Sequence, residues 1–198
     1  MFHRYQYSYP FLPGYHQDAG SLPSDEVLVT SGGSVHNLYR DVFYIPDPTL
    51  AFVGVSINTA TFSFFEYQSI SIARVFSGQA RLPDLASRRL EYEDRVAKRG
   101  DGKFLHLLGK EGEVEYVKET VAWLNRDAAD LGGEEVQGHT QAWLDASAQA
   151  LLKLAERNGL DLMAVKRTLA ELETVAPTIA SRDLTLKLEP PRAAISVE

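Results

Sequence analysis

The 198-residue sequence predicts an α+β fold, in which a strand–loop–helix piece of an α/β domain precedes a mainly helical region. Two patterns lead to this prediction. The run Ala51–Val55 is continuously apolar, which is typical of a strand covered on both faces, and a loop and a helical pattern follow it. Between Val114 and Leu131, apolar residues recur at alternating spacings of three and four, which indicates an amphipathic helix.

Composition divides the chain into three zones. The first is rich in aromatic, β-branched and turn residues, the second is strongly charged, and the third is expected to form helices and a tail. Their bounds are 1–83, 84–138 and 139–198. In the first zone Glu26–Thr30 is a further candidate strand, and Phe65–Phe76 is predicted as a helix because Gly78 stands just past its end.

Capping residues and helix breakers place the other elements. Asp84 can cap a helix that runs to Arg99 and stops at Gly100, and Gly132-Gly133 ends the helix predicted up to Leu131. The third-zone predictions are a helix between Thr140 and Gly159, a helix from Asp161 to a point before Pro177, a short strand at 184–188, and a disordered tail after Pro190-Pro191.

The bulk composition excludes several classes of partner and chemistry. A net charge of −7 argues against nucleic acid or an anionic membrane as the main partner. The longest apolar run, Leu50–Val55, is far shorter than the roughly 20 residues that cross a bilayer. There is no cysteine, which removes thiol catalysis and cysteine-ligated metals, and no signal-peptide core is visible. We therefore expect a cytoplasmic protein.

The common catalytic and nucleotide-binding motifs are missing from this sequence. It contains no G-x-G-x-x-G, no P-loop and no histidine pair suited to a metal. Gly54–Asn58 is only a near miss to the G-x-S-x-G elbow, so Ser56 is not predicted as a nucleophile and no catalytic residue is assigned. An acidic group near a helix start is predicted to lie on a solvated face. Its members are Glu111, Glu113, Glu115 and Glu119.

Three ordered stretches resemble the flavin-containing monooxygenases, most closely their fungal branch. They are Tyr5–Leu12, then Val35–Tyr39 with Phe43–Pro46 and Pro48–Gly54, then Phe65–Gln68 with Ala73–Gly78 and Leu82-Pro83. The resemblance continues more loosely to about Trp123. Two departures stand out: Phe2-His3-Arg4 occupy the place of the family's Ala-Thr-Gly, and Ser63 stands where the family usually has a proline.

The resemblance implies FAD and NADPH as cofactors, and transfer of one oxygen atom to a soft sulfur or nitrogen centre of a small-molecule substrate. The glycine-rich motifs of that family precede the part it shares with this sequence. We therefore expect a truncated monooxygenase that neither binds FAD tightly nor acts alone. The alternative is a non-catalytic helical interaction module or a degenerate enzyme remnant. No protein partner can be named.

The expected flavin contacts follow the predicted strand. A loop from Ser56 to Phe64 would lie at the strand's carboxyl end, where α/β sheets bind ligands, and the next helix would present free N–H groups to the flavin pyrimidine. The predicted contacts are the backbone of Phe62, Ser63 and Phe64 and the side chains of Asn58 and Gln68.

Each predicted contact has a structural alternative. Asn58 can form an Asx-turn, Gln68 can be a satisfied helix amide, and the phenylalanines can be core. His36-Asn37 is expected to cap and turn the chain. The first zone, with few strands to pair with Ala51–Val55, is expected to form a small, ragged sheet with the aromatic residues of 5–15 held loosely.

Overall fold

The computed structural model describes residues 7–12, 24–29, 33–102, 104–159, 161 and 163. Within these residues the chain forms two short strands and four helices, which confirms the α+β character. The elements are β1 (Leu38–Tyr39), β2 (Phe43–Tyr44), α1 (Thr61–Phe76), α2 (Leu85–Arg99), α3 (Gly109–Leu131) and α4 (Gln141–Arg157). They divide into two compact units between Thr140 and Gln141, and α4 belongs to the second. No described helix is long and apolar enough to cross a membrane.

The sheet is a single antiparallel hairpin. Leu38 pairs with Tyr44, and Tyr39 pairs with Phe43. Arg40 and Asp41 make the turn with φ values of 53° and 58°, the left-handed conformation that hairpin turns of mirror-image type require. A small sheet was expected, but its strands are not the predicted ones.

Neither predicted strand forms. Ala51 makes one isolated bridge to Phe43, after which the chain bends at Gly54, whose φ is 87°. In the other predicted strand Val29 makes one bridge to Val35, and Thr30 falls outside the described residues. The apolar run at 51–55 therefore does not mark a strand between two others, because its side chains enter the core from a bent chain: Val55 is buried while Val53 is exposed.

Four of the five helix predictions are confirmed, with earlier starts for two of them. Helix α1 begins at Thr61 rather than Phe65, and α3 begins at Gly109 rather than Val114. Helix α2 has the predicted cap, since Asp84 accepts a 2.7 Å hydrogen bond from the Ser87 N–H. Taken by itself, α4 fills most of the helix predicted before Gly159. The predicted helix after Asp161, the strand at 184–188 and the tail lie outside the described residues, Asp161 and Met163 excepted.

Two buried clusters form the core of the first unit. The loop cluster consists of Leu28, Val29, Val35, Leu38, Tyr44 and Val55. The helix cluster consists of Val42, Phe43, Phe64, Tyr67, Ala80, Val117, Trp123, Leu124 and Val136. Tyr7 and Tyr9 pack against the loop cluster, so the expectation that the aromatic residues of 5–15 are held loosely is wrong for these two, although Phe11 is 74% exposed.

Candidate functional site

The candidate site is the bent chain from Val53 to Ala60, which we call the site loop, together with the first turn of α1. Gly54 is required at the start of the loop for two reasons. Its φ of 87° is left-handed, and a Cβ there would lie 3.0 Å from the ring of Phe65. The Gly54 N–H donates to Oε1 of Gln68 in α1 at 2.9 Å, so this hydrogen bond fixes the bend to α1.

The middle of the site loop is held against the segment before α3. Ile57 and Leu107 form a parallel bridge. The Ile57 N–H donates to the His106 carbonyl at 2.9 Å, and the Leu108 N–H donates to the Ile57 carbonyl at 3.2 Å. Asn58 follows with a φ of 62° and an exposed side chain. The turn therefore presents Asn58 outwards, in a conformation that asparagine tolerates better than most residues.

The end of the site loop is capped by another helix. Ala60 is the N-cap of α1 and has no capping side chain. Its N–H donates to Oε2 of Glu113 on α3 at 2.8 Å. Glu113 is 2% exposed, so the prediction that the acidic group lies on a solvated face is wrong for this member. Burial raises the pKa of the Glu113 carboxyl, and the Ala60 hydrogen bond and the charge of Lys110 oppose that rise.

The predicted contact residues separate into an outer and an inner set. Phe62 is 92% exposed and Asn58 is also exposed, whereas Ser63 is partly buried. Ser63 donates its hydroxyl to the Ala60 carbonyl at 3.0 Å. Phe64 and Gln68 are fully buried, Phe64 in the helix cluster and Gln68 behind the bend at Gly54. The two buried side chains support the site loop from inside, whereas Asn58 and Phe62 face outwards.

A buried polar network lies directly behind the site loop and was not predicted. Asp41 accepts hydrogen bonds from Ser56 Oγ at 3.1 Å and His106 Nδ1 at 2.9 Å, and it pairs with the Arg95 guanidinium. Nε2 of His106 accepts from the Val35 N–H at 2.9 Å, which fixes the neutral tautomer. Burial lowers the pKa of His106 to about 3, and the nearby Arg95 charge acts in the same direction.

This network excludes a hydrolase-type arrangement at Ser56. The Ser56 hydroxyl bonds to the carboxylate of Asp41 and not to an imidazole, and both residues are buried. A nucleophilic serine needs a base that can take its proton and access to a substrate. The network therefore anchors the site loop through Ser56.

His36 and Asn37 have structural roles, as predicted. Asn37 has a φ of 57° and donates its amide to the carbonyls of Ser24 and Val27 at 3.0 and 2.8 Å. The His36 ring lies between Ser34 Oγ at 3.1 Å and the Tyr92 hydroxyl at 3.0 Å. Both residues tie loop segments together inside the protein.

Exposed apolar side chains occur on the site loop, on the first turn of α1 and on the segment before α3. They lie on two segments that meet at the Ile57–Leu107 bridge. The residues are Val53, Ile57, Phe62, Phe104 and Leu107. A concentration of apolar surface of this kind on a small unit is typical of a place where a ligand or another protein surface binds.

Other kinds of site find less support among the described residues. No group of three or more potential metal ligands occurs there. An open cleft of about 580 Å³ lies between α1 and the segment 134–137, and it contains none of the predicted site residues. The site loop therefore remains the best candidate.

Comparison with known proteins places this arrangement in context. No family model matches the sequence. The chain is 45% identical over 123 residues to flavin-containing monooxygenase ustF1 of Aspergillus flavus, covering 62% of this chain and 31% of that protein. It is 32% identical over 141 residues to flavin-containing monooxygenase iboF of Amanita muscaria, covering 67% and 26%. Trimethylamine monooxygenase of Roseovarius sp. is 28% identical over 140 residues, covering 70% and 28%. The chain thus spans about three tenths of the length of these relatives.

Proposed function

The chain belongs to the flavin-containing monooxygenases over the part that these relatives share, and from this premise we propose that the site loop and the start of α1 form one wall of the flavin site of such an enzyme. The observation that carries the proposal is the position of the α1 N-terminus. Its first N–H groups have no partner within the helix, and they belong to the turn that follows the exposed residue Asn58 and carries the exposed residue Phe62.

The described residues fit the ring system of a flavin. Its apolar face can pack on exposed side chains such as Phe62 and Ile57, and its pyrimidine edge can accept hydrogen bonds from the first turn of α1. Nothing in the sequence fits the pyrophosphate, because that group needs a glycine-rich turn at a helix N-terminus. When bound, FAD would accept reducing equivalents from NADPH and support the oxygenation of a soft sulfur or nitrogen centre.

The roles of the individual residues follow from their positions. Asn58 and Phe62 would contact the flavin, and the backbone of Phe62 and Ser63 would donate to it. Gln68 and Phe64 would act one step behind, since their side chains hold Gly54 and the start of α1 in place. A cytoplasmic location remains an expectation from the sequence alone.

A chimera tests the proposal. The residues of flavin-containing monooxygenase ustF1 that correspond to this chain are replaced by it, and bound FAD and NADPH-dependent oxygen consumption are measured. We expect the chimera to retain both. Phe62→Asp should reduce bound FAD at least tenfold, since it places a charge against an apolar ring at a cost of about 1.4 kcal/mol or more. Phe76→Asp is the matched control, because Phe76 is also exposed (54%) but lies at the other end of α1.

The same experiment tests the alternative of a non-catalytic interaction module. A folded chimera without bound FAD, or equal FAD loss for the two aspartate variants, would contradict the flavin-wall proposal. The chain by itself should fail to bind FAD tightly and should not oxidise NADPH, because both cofactors must be held in register for hydride transfer. Stoichiometric, submicromolar quenching of flavin fluorescence by the isolated chain would contradict this expectation.

A further inference from the structure

Glu113 caps a helix other than its own. It lies in the second turn of α3, yet its carboxylate oxygen Oε2 accepts the N–H of Ala60, the N-cap of α1, at 2.8 Å. Ala60 cannot cap α1 with its own side chain. Because Ala60 is also the last residue of the site loop, this single hydrogen bond joins the loop, α1 and α3.

The second carboxylate oxygen of Glu113, Oε1, is also buried. Oε1 has no hydrogen-bond partner among the described residues, and the side chain is 3% exposed. His139, from the segment after α3, places its Nε2 4.0 Å from Oε1. The ring of His139 is in turn packed edge-on against Tyr67 of α1 at 5.0 Å. The carboxylate is therefore enclosed by α1, α3 and the segment that follows α3.

The charged and titratable groups facing Glu113 are few. Lys110 lies one turn earlier on α3, and its charge favours the ionised carboxylate. His139 faces it from the segment after α3, and the start of α1 presents the N–H of its N-cap residue Ala60. Burial disfavours the ionised form of Glu113 and the protonated form of His139, whose pKa it lowers to about 4.

A carboxylate in this position affects any anion that approaches α1. The helix N-terminus has a partial positive charge of roughly half a unit, and an ionised Glu113 beside it offsets that charge. A neutral side chain of the same shape would keep the hydrogen bond to Ala60 and leave the positive end of the helix uncompensated. The geometry thus separates two effects of Glu113, its hydrogen bond and its charge.

We propose that Glu113 is a positioning residue that fixes the start of α1 through Ala60 and, through its charge, sets how strongly this helix end favours an anionic over a neutral ligand. The second part rests on the proposed function, in which reduction makes the flavin more negative near α1. A glutamate at this position would then weaken binding of the reduced ring relative to the oxidised ring.

The test compares the full chain with Glu113→Gln and Glu111→Gln by NMR. Glu111 lies on the same helix but is exposed, so its substitution is the matched control. In the wild type and in Glu111→Gln, the Ala60 amide resonance should titrate with a midpoint above that of an exposed glutamate. In Glu113→Gln this titration should disappear while the helix remains folded, since glutamine keeps an acceptor for the Ala60 N–H. An Ala60 amide that does not titrate in the wild type, or that titrates equally in Glu113→Gln, would overturn the positioning role.

Flavin binding tests the effect of charge. Oxidised and anaerobically reduced FMN are titrated into the three proteins, and the ratio of their affinities is determined from amide shifts. We expect Glu113→Gln to raise the preference for reduced FMN about three- to tenfold, up to about 30 mV for a two-electron couple, and Glu111→Gln to leave it unchanged. An unchanged ratio in Glu113→Gln would overturn the charge effect. Absence of FMN binding in all three proteins would contradict the proposed function together with the charge effect, and the Ala60 titration would still decide the positioning role.

Discussion

The loop cluster and the helix cluster lie in the same compact unit but are built in different ways. Around the helix cluster, α1 and α3 satisfy their own backbone groups. Around the loop cluster, distant side chains do so: the Tyr7 hydroxyl donates to the Val55 carbonyl at 2.9 Å, and His106 accepts from the Val35 N–H. The difference indicates that packing of apolar side chains stabilises the helix cluster, whereas hydrogen bonds of buried polar groups stabilise the loop cluster.

The site loop lies between these two regions and depends on both. Ser56 is held by Asp41 from the polar side, whereas Gly54 and Ala60 are held by side chains of α1 and α3 from the helical side. The conformation of the loop is thus fixed mostly by side chains far away in sequence.

The largest effect is expected at Asp41 on the polar side. Asp41→Ala removes the buried carboxylate partner of Arg95, whose side chain is only 10% exposed, and leaves it only the partly exposed carboxylate of Glu91 at 3.3 Å. Breaking a buried ion pair in this way costs about 3 to 5 kcal/mol. Urea unfolding should show this loss, with a smaller one for Asp41→Asn, since asparagine keeps the size and tolerates the φ of 58°. Asp94→Ala, at an exposed position of α2, is the control, and a loss as small as that of the control would contradict the role assigned to the network.

A somewhat smaller effect is expected on the helical side. Leu124 of α3 is 2% exposed and belongs to the helix cluster. Leu124→Ala should lower the free energy of unfolding by about 2 to 4 kcal/mol through lost burial and a residual cavity. Leu90→Ala, at an exposed position of α2, should change it little. If Leu124→Ala proved more damaging than Asp41→Ala in the same urea experiment, the contrast between the two regions would be wrong.

Acid should weaken the polar side selectively. Unfolded His106 binds a proton near its ordinary pKa of 6.5, while in the folded protein burial lowers that pKa to about 3. The unfolded state therefore binds more protons between these values, and stability falls as the pH falls through this window. Thermal unfolding between pH 7 and pH 4 should show a steeper loss for the wild type than for His106→Gln, even though the variant is less stable at pH 7. If stability fell equally steeply with pH in both proteins, His106 would be excluded as the main source of the acid-induced loss of stability.

The smallest effect concerns local opening. Amides 51–55 rely on isolated bonds, such as Phe52 N–H to the Val42 carbonyl at 2.8 Å, whereas amides 117–128 belong to the continuous ladder of α3. We expect the first group to exchange with solvent at least tenfold faster, a difference of about 1.4 kcal/mol in opening free energy. Equal and strong protection in hydrogen exchange would show that both regions open as one unit.

The sequence predicted the helices and their ends well because those signals are local. The Asp84 cap, the stop at Gly100 and the three- and four-residue spacing before Gly132 all act within a few turns. The starts of α1 and α3 were placed too late, since neither helix has a capping side chain at its first turn. The resemblance to flavin-containing monooxygenases was also predicted from short stretches in the right order, and the similarity to known members of that family confirms it.

The site loop has no local sequence signal for its conformation. Continuous apolarity at Ala51–Val55 predicts a strand, but an apolar run indicates burial and does not say which backbone pairs with it. Likewise, the charge pattern alone predicts that Glu113 is exposed like its neighbouring glutamates. The residues near Glu113 in the sequence do not indicate that its carboxylate is buried and accepts the N–H of Ala60, 53 residues away.

The four described helices, the lack of dinucleotide motifs in this sequence and the family could all be predicted, because periodicity, caps and motifs are properties of neighbouring residues. The conformation of the site loop could not, because it depends on packing between residues that are distant along the chain. His106 and Asp41 are separated by 65 residues, and Gly54 and Gln68 by 14. A hydrogen bond between such residues forms only when packing brings both partners out of water into the same place, and that pairing leaves no periodic mark in the sequence.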